Sequence, residues 1–231
     1  MNDYLLFVVF PYVAIAIELV VSIWRFFSHR HTFSSLSSEF LESKELFWGS
    51  VPWHYGILFV LLGHLVAFIF PRELLLWNSV PLRLLILEVV ALSFGLLALV
   101  GIVLLLLRRL THPRIRAVTS KMDVIILLLL FVQVASGVWM ALTLRWGSSW
   151  YASVLVPYLR SIFILSPNVG LVADMPLMVK VHIVSAFSIV AILPFTRLVH
   201  FLVMPISYLW RSYQLVIWNW DRKKIRRTDQ K

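Results

Sequence analysis

Pro52-Trp-His-Tyr-Gly-Ile-Leu-Phe-Val-Leu-Leu-Gly-His-Leu-Val-Ala-Phe-Ile-Phe-Pro71 decides how the rest of this chain is read. Between the two prolines lie 18 residues without a single Asp, Glu, Lys or Arg. A run of that length and apolarity is a candidate for a helix that crosses a bilayer. It nevertheless carries His54 and His64. An ionisable side chain inside a span is costly and is expected to have a partner there. A second apolar stretch, Val179–Met204, carries His182 and His200. Two helices with two intramembrane histidines each point to a ligand system held between them.

The composition supports an integral membrane protein. Of 231 residues, 61% are hydrophobic and 14% charged, against roughly 45–50% and about 25% in soluble domains. Five spans follow from the apolar runs, at about residues 4–27, 52–70, 82–107, 124–144 and 179–204. The fold class read from them is an all-α membrane protein, its five helices bundled as one domain, followed by a basic tail over residues 205–231. The absence of cysteine excludes disulfides, thiolate metal sites and covalent haem attachment through thioethers. An iron–sulfur cluster serving this protein therefore belongs on another chain. Met1-Asn-Asp-Tyr has no positive n-region, so no cleaved signal peptide is expected.

The formal charge of +10 is concentrated just outside the spans. Nucleic-acid binding is not expected, because orientation accounts for such clusters. The third loop holds Arg108, Arg109, Arg114, Arg116 and Lys121, and the tail holds Arg211, Arg222, Lys223, Lys224, Arg226, Arg227 and Lys231. The positive-inside rule places that loop and the C-terminus in the cytoplasm and the N-terminus outside. Trp150–Leu165 is apolar but interrupted by Pro157 and Arg160. It reads as an interfacial segment on the outer face, since a sixth span would carry the basic tail outside. In the tail, Trp210, Tyr213, Trp218 and Trp220 mix with the basic run, which suits lipid headgroups or a partner subunit.

With this topology His64 lies about 15 Å further toward the outer face than His54, and His200 lies about 27 Å further in than His182, at 1.5 Å per residue. Depth pairs His54 with His200 and His64 with His182. Each pair can supply two axial imidazoles to one iron, so two b-type haems would stack across the membrane. Eighteen residues make five full turns of a continuous helix, which puts His182 and His200 on one face. A kink at Pro194 can absorb a mismatch in angle and depth. The plainer reading of each histidine alone is a hydrogen-bonding group at a helix interface. His29, His31 and His112 fall in the cytoplasmic loops and read as solvated or interfacial.

His54-Tyr-Gly-Ile-Leu with Gly63-His64, Arg108-Arg-Leu-Thr-His-Pro-Arg-Ile-Arg-Ala117, and Pro194-Phe-Thr-Arg-Leu-Val-His200 followed by Met204-Pro-Ile-Ser-Tyr-Leu and Tyr213-Gln-Leu-Val carry a resemblance. Along nearly its whole length the chain resembles the gamma subunit of respiratory nitrate reductase, a five-helix membrane cytochrome b. The resemblance implies two b haems, the inner one on His54 and His200 and the outer one on His64 and His182. It implies an iron–sulfur beta subunit and a molybdenum-cofactor alpha subunit as partners. It also implies a bacterial or archaeal cell membrane, and quinol (menaquinol or ubiquinol) oxidised near the outer haem with electrons passing inward. The family's quinol site often includes a lysine at the start of the third span. Val80-Pro-Leu-Arg-Leu-Leu-Ile-Leu-Glu88 has none there. Arg83 is the candidate to orient quinol and Glu88 the candidate proton acceptor. Buried carboxylates can accept protons near neutrality. Glu18 ranks behind Glu88. Arg114 and Arg116, with Arg108 and Arg109, are candidates for haem propionates or for docking the iron–sulfur subunit. A complex acting on another oxyanion, a nitrite oxidase, and a non-redox transporter or anchor remain as alternatives.

Overall fold

The computed structural model describes residues 2–28 and 44–201, and these are all-helical or connecting. Five long helices dominate. They are α1 (Phe10–Ser28), entered through a π turn at Leu5–Val9, α2 (Lys44–Ile69), α3 (Pro81–Thr111), α4 (Lys121–Thr143) and α5 (Leu177–Ile192). Each, with its flanking turns, is long and apolar enough to cross a membrane. Their outward faces carry Leu58, Leu62, Leu82, Val100 and Leu142, all exposed. A soluble domain would bury such a stripe, whereas a bilayer solvates it.

Proline sets most of the ends. A residue before proline is pushed out of the helical region. Phe70 before Pro71 ends α2, and Val80 before Pro81 sits extended at the entrance of α3. His112 before Pro113 ends α3 in the same way. The start of α4 is a capping box, in which Ser120 Oγ accepts from Asp123 N at 3.1 Å and Asp123 Oδ2 accepts from Ser120 N at 3.0 Å. In α2, by contrast, the helix runs back past Pro52 to Lys44, so this proline lies inside it.

The helices pack in the order α2 on α3, α3 on α4, α4 on α5, and α5 on α1. The α2–α3 seam is the tightest, because glycine lets the backbones meet. A Cβ on Gly56 would stand 2.7 Å from Phe94 O, and one on Gly101 would stand 2.6 Å from Trp53 Cα. Trp53, Ala98, Ile102, Val134 and Val138 form the core that this seam continues into α4.

The segment expected to lie at the interface packs onto one end of the bundle. It contains a short helix Gly147–Trp150, a π turn Tyr151–Leu155, and a helix Val156–Phe163. Leu155, Tyr158 and Ile162 fall at helical spacing and join Phe7, Met140, Val179 and Ile183 in a second core. Tyr158 donates to Phe7 O at 2.8 Å and Tyr12 donates to Ile162 O at 3.0 Å, which ties the segment to the first span. Pro157 sits in the first turn of its helix, where a missing N–H costs nothing. Arg160 donates to Phe68 O at 2.6 Å and Ile69 O at 3.1 Å and so caps the open carbonyls of α2.

A correction concerns the fifth span. It is not one helix to Met204. The α-helix stops at Ile192, followed by 3-10 turns at Leu193–Phe195 and Arg197–Phe201 on either side of Thr196. Pro194 lacks the N–H that an α ladder needs. Thr196 is extended, and its Oγ1 accepts from Leu198 N at 3.2 Å to start the second turn. His182 on α5 and His200 on the second turn therefore do not share a face of one helix. The basic tail over residues 205–231, with His29 and His31, lies outside the described residues.

Candidate functional site

The two α2 histidines are prepared in the same way. His54 Nδ1 lies 2.7 Å from Ser50 O and 3.1 Å from Ser50 Oγ, and His64 Nδ1 lies 2.8 Å from Val60 O. A carbonyl only accepts, so Nδ1 carries the proton in both rings. Nε2 is left with a free lone pair, the form in which imidazole binds a metal. Both partners are carbonyls four residues back, so the helix itself fixes ring and tautomer. A second hydrogen bond of this kind commonly supports a ligating histidine.

His64 opens into a cavity of about 330 Å³ lined by His64, Leu65 and Phe68 of α2, Ile15 of α1, Phe187 of α5, and Tyr151, Leu159, Ile162 and Phe163 of the capping segment. His64 and Tyr151 are its only polar residues. The Tyr151 ring meets the His64 ring edge-on, with centroids 5.0 Å apart, and its hydroxyl donates to His64 O at 3.4 Å. Tyr151 stays neutral at physiological pH, because burial pushes its phenol up to about 12. The cavity offers a flat apolar group one imidazole lone pair and one hydroxyl.

His182 is held differently, by α4. Gln133 Nε2 donates to His182 Nε2 at 2.9 Å, and His182 Nδ1 lies 2.9 Å from Ser136 Oγ. An amide nitrogen can only donate, so Nε2 is again the lone pair and Nδ1 the protonated nitrogen. Ser136 passes the chain on by donating to Gln133 O at 2.9 Å, and Ser185 donates to Gln133 Oε1. Gly137 makes room for the ring, since a Cβ there would stand 3.2 Å from His182 Cε1. His54, His64 and His182 thus share the ligating tautomer. At His182 the lone pair must be given up by Gln133 before a metal can take it. His200 lies in the turn Arg197–Phe201, and only its backbone is described.

The remaining candidates are spread out. Arg83 is exposed, with its guanidinium 5.1 Å from the centre of the Trp77 ring. Glu88 Oε1 accepts from Ser148 N at 2.9 Å and Ser148 Oγ at 2.6 Å. Ser148 and Ser149 also take the Asn78 amide. Glu18 is bonded by Ser22 one turn on. Arg114 and Arg116 are exposed on the short helix Pro113–Ala117. Arg109 pairs with Asp123 at 3.4 Å. Tyr151, Gln133, Ser136 and Asp123 were not among the candidates from sequence. Gln133, Ser136 and Asp123 are polar residues in an apolar run, and that alone was a signal.

The fold defines a class: over the described residues, an all-helical chain with five candidate membrane-spanning helices. A family model for the nitrate reductase gamma subunit matches residues 3–219. The chain is 34% identical over 219 residues to the nitrate reductase gamma chain of Bacillus subtilis (strain 168), covering 92% of this chain and 97% of that one. It is 31% identical over 216 residues to the respiratory nitrate reductase 1 gamma chain of Escherichia coli (strain K12), covering 91% and 95%. It also matches the nitrate reductase-like protein NarX of Mycobacterium tuberculosis (strain ATCC 25618 / H37Rv), at 31% identity over 90% of this chain and 33% of that longer protein. The chain belongs to the nitrate reductase gamma subunit family, and is therefore a subunit type of a nitrate reductase complex.

Proposed function

We propose that this chain is a dihaem cytochrome b, the quinol-oxidising anchor of a nitrate-reductase-type complex, which passes electrons to an iron–sulfur beta subunit and on to a molybdenum-cofactor alpha subunit. The observation that carries the reading is the hydrogen bonding of His54 and His64, whose Nδ1 atoms each face a carbonyl of their own helix and leave Nε2 as the lone pair, with Ser136 beside Nδ1 of His182. Haem b, when bound, supplies a one-electron carrier whose potential follows ligand, burial and hydrogen bonding. His54 and His200 would hold the inner group, and His64 and His182 the outer one. The α2 carbonyls of Ser50 and Val60 orient two of these rings, and Ser136 orients a third.

Quinol would be oxidised beside His64, where apolar and aromatic walls can take a flat ring. Glu88 keeps Oε1 on Ser148 and presents Oε2 to receive a proton. Arg83, stacked on Trp77, is the cation nearest the start of α3. Arg114 and Arg116 are exposed at the opposite end, where propionates or the beta subunit can use them. The basic residues put that end in the cytoplasm, with the N-terminus outside, in a bacterial or archaeal cell membrane.

Haem counting and EPR on the purified complex test this. His64→Ala and His182→Ala should each remove one centre, and His54→Ala and His200→Ala the other. A complex containing every chain but lacking a reduced-minus-oxidised b-type spectrum would refute the reading.

A further inference from the structure

A helix broken by proline loses the hydrogen-bond ladder that would order the next residues, so residues 193–201 need another source of order. Three contacts supply it. Arg25 of α1 donates to Pro194 O. Thr196 Oγ1 donates to Leu193 O at 2.9 Å and accepts from Leu198 N at 3.2 Å, which splices the two 3-10 turns. Arg197 Nε reaches Asp123 Oδ1 of α4 at 3.3 Å.

Asp123 is the centre of this arrangement. Its side chain is only 7% exposed. Oδ2 accepts from Ser120 N at 3.0 Å and pairs with Arg109 Nη1 of α3 at 3.4 Å. One carboxylate thus caps α4, ties down α3 and takes the cation of the broken segment. A carboxylate so buried and so fully partnered is held rigidly, and breaking one arm leaves the others poorly compensated. Arg197 precedes His200 by one 3-10 turn.

We propose that Asp123 and Arg197 form an ionic clasp that positions the turn carrying His200. They are then positioning residues for the inner ligand pair of His54 and His200. Arg25 is the second anchor of the same segment, from the opposite neighbour. The inference rests on the dihaem reading for its consequence, and on the structure alone for the clasp.

The test uses the full complex and three variants, Arg197→Gln, Asp123→Asn and Arg197→Lys. A spin-labelled unnatural amino acid at position 195, in place of the exposed Phe195 of the broken segment, marks that segment without reaction at cysteines of the other subunits. Arg197→Gln and Asp123→Asn should make that label more mobile, and Arg197→Lys should leave it close to the parent. In the same preparations Arg197→Gln should weaken haem retention at the inner centre about tenfold, the low end for loss of a supporting contact. It should also shift that centre's EPR signal, while the outer centre keeps its own and Arg197→Lys restores both. The clasp is overturned if the label reports no change in Arg197→Gln. The positioning role is overturned if both centres respond together, or if neither responds while the label does. Absence of both centres from the parent complex would refute the dihaem reading, and the label would still decide the clasp.

Discussion

Adding one methyl group at Gly56 should loosen the whole α2–α3 pair. In the structure its Cβ would stand 2.7 Å from Phe94 O and 2.8 Å from Ala98 Cα. Ala98 N would stand closer still, and ordinary contact begins near 3.4 Å, so the pair is short by at least about 0.7 Å. All three obstacles are backbone of α3 and cannot rotate away, so the helices must part. A gap of that size forfeits roughly a quarter to a half of the dispersion well at each neighbouring contact. Gly101 against Trp53 and Gly49 against Leu105 lie on the same seam and would open with it. Overpacking of this kind costs about 1–3 kcal/mol, and the better helix propensity of alanine returns up to about 1 kcal/mol. The net expectation is a loss of up to about 2 kcal/mol. Gly95→Ala is the internal control, because its Cβ meets only Val138 Cγ2, at 3.4 Å. That variant should be neutral or gain up to about 1 kcal/mol. Unfolding in mixed detergent micelles, followed by tryptophan fluorescence, would measure both, with Trp53 at the seam as a reporter. A Gly56→Ala protein as stable as Gly95→Ala would refute the backbone-contact argument.

Arg160→Met should cost roughly 1.5–3 kcal/mol by uncapping Phe68 O and Ile69 O, and the same unfolding assay would show an unchanged midpoint if the cap were idle. Ser136→Ala removes the acceptor on His182 Nδ1 and makes that imidazole a poorer donor to iron. The potential of one haem should rise by roughly 20–65 mV, the one-electron equivalent of a ~0.5–1.5 kcal/mol hydrogen bond, and a redox titration with both potentials fixed would count against it. Glu88→Gln keeps the bonds to Ser148 but cannot take up a proton. Quinol-dependent haem reduction should slow by roughly a hundredfold, with dithionite reduction unchanged, and Arg83→Ala should instead raise KM for quinol. Normal quinol kinetics in both variants would remove these residues from the mechanism.

The sequence by itself determined what depends on composition and short-range pattern. Eighteen uncharged residues around His54 and His64 are long and apolar enough for a helix across a bilayer, so five candidate spans were legible from apolar length alone. The motifs around Gly63-His64 and Arg108–Ala117 carried the family, which the match to the gamma subunit model and the Bacillus subtilis chain bears out. The tautomers at His54 and His64 were nearly as local, since each ring bonds a carbonyl on its own helix. The tertiary structure decided whatever lies between elements. Trp150–Leu165 read as an interfacial segment on the outer face because Pro157 and Arg160 break the apolar run. Only the fold shows Tyr158 reaching Phe7 and Arg160 reaching the end of α2. Glu88 was placed by depth beside the histidines, but a partner 60 positions away in sequence, Ser148, holds it. His182 looked poised for His64, yet Gln133 and Ser136 of α4 hold its ring. Pro194 suggested a kink, but the break there and where the chain goes afterwards belong to the fold, with Arg25 and Asp123 reaching in from two other helices. Apolar length is a property of each segment alone, whereas the direction of a polar side chain depends on which neighbour satisfies it.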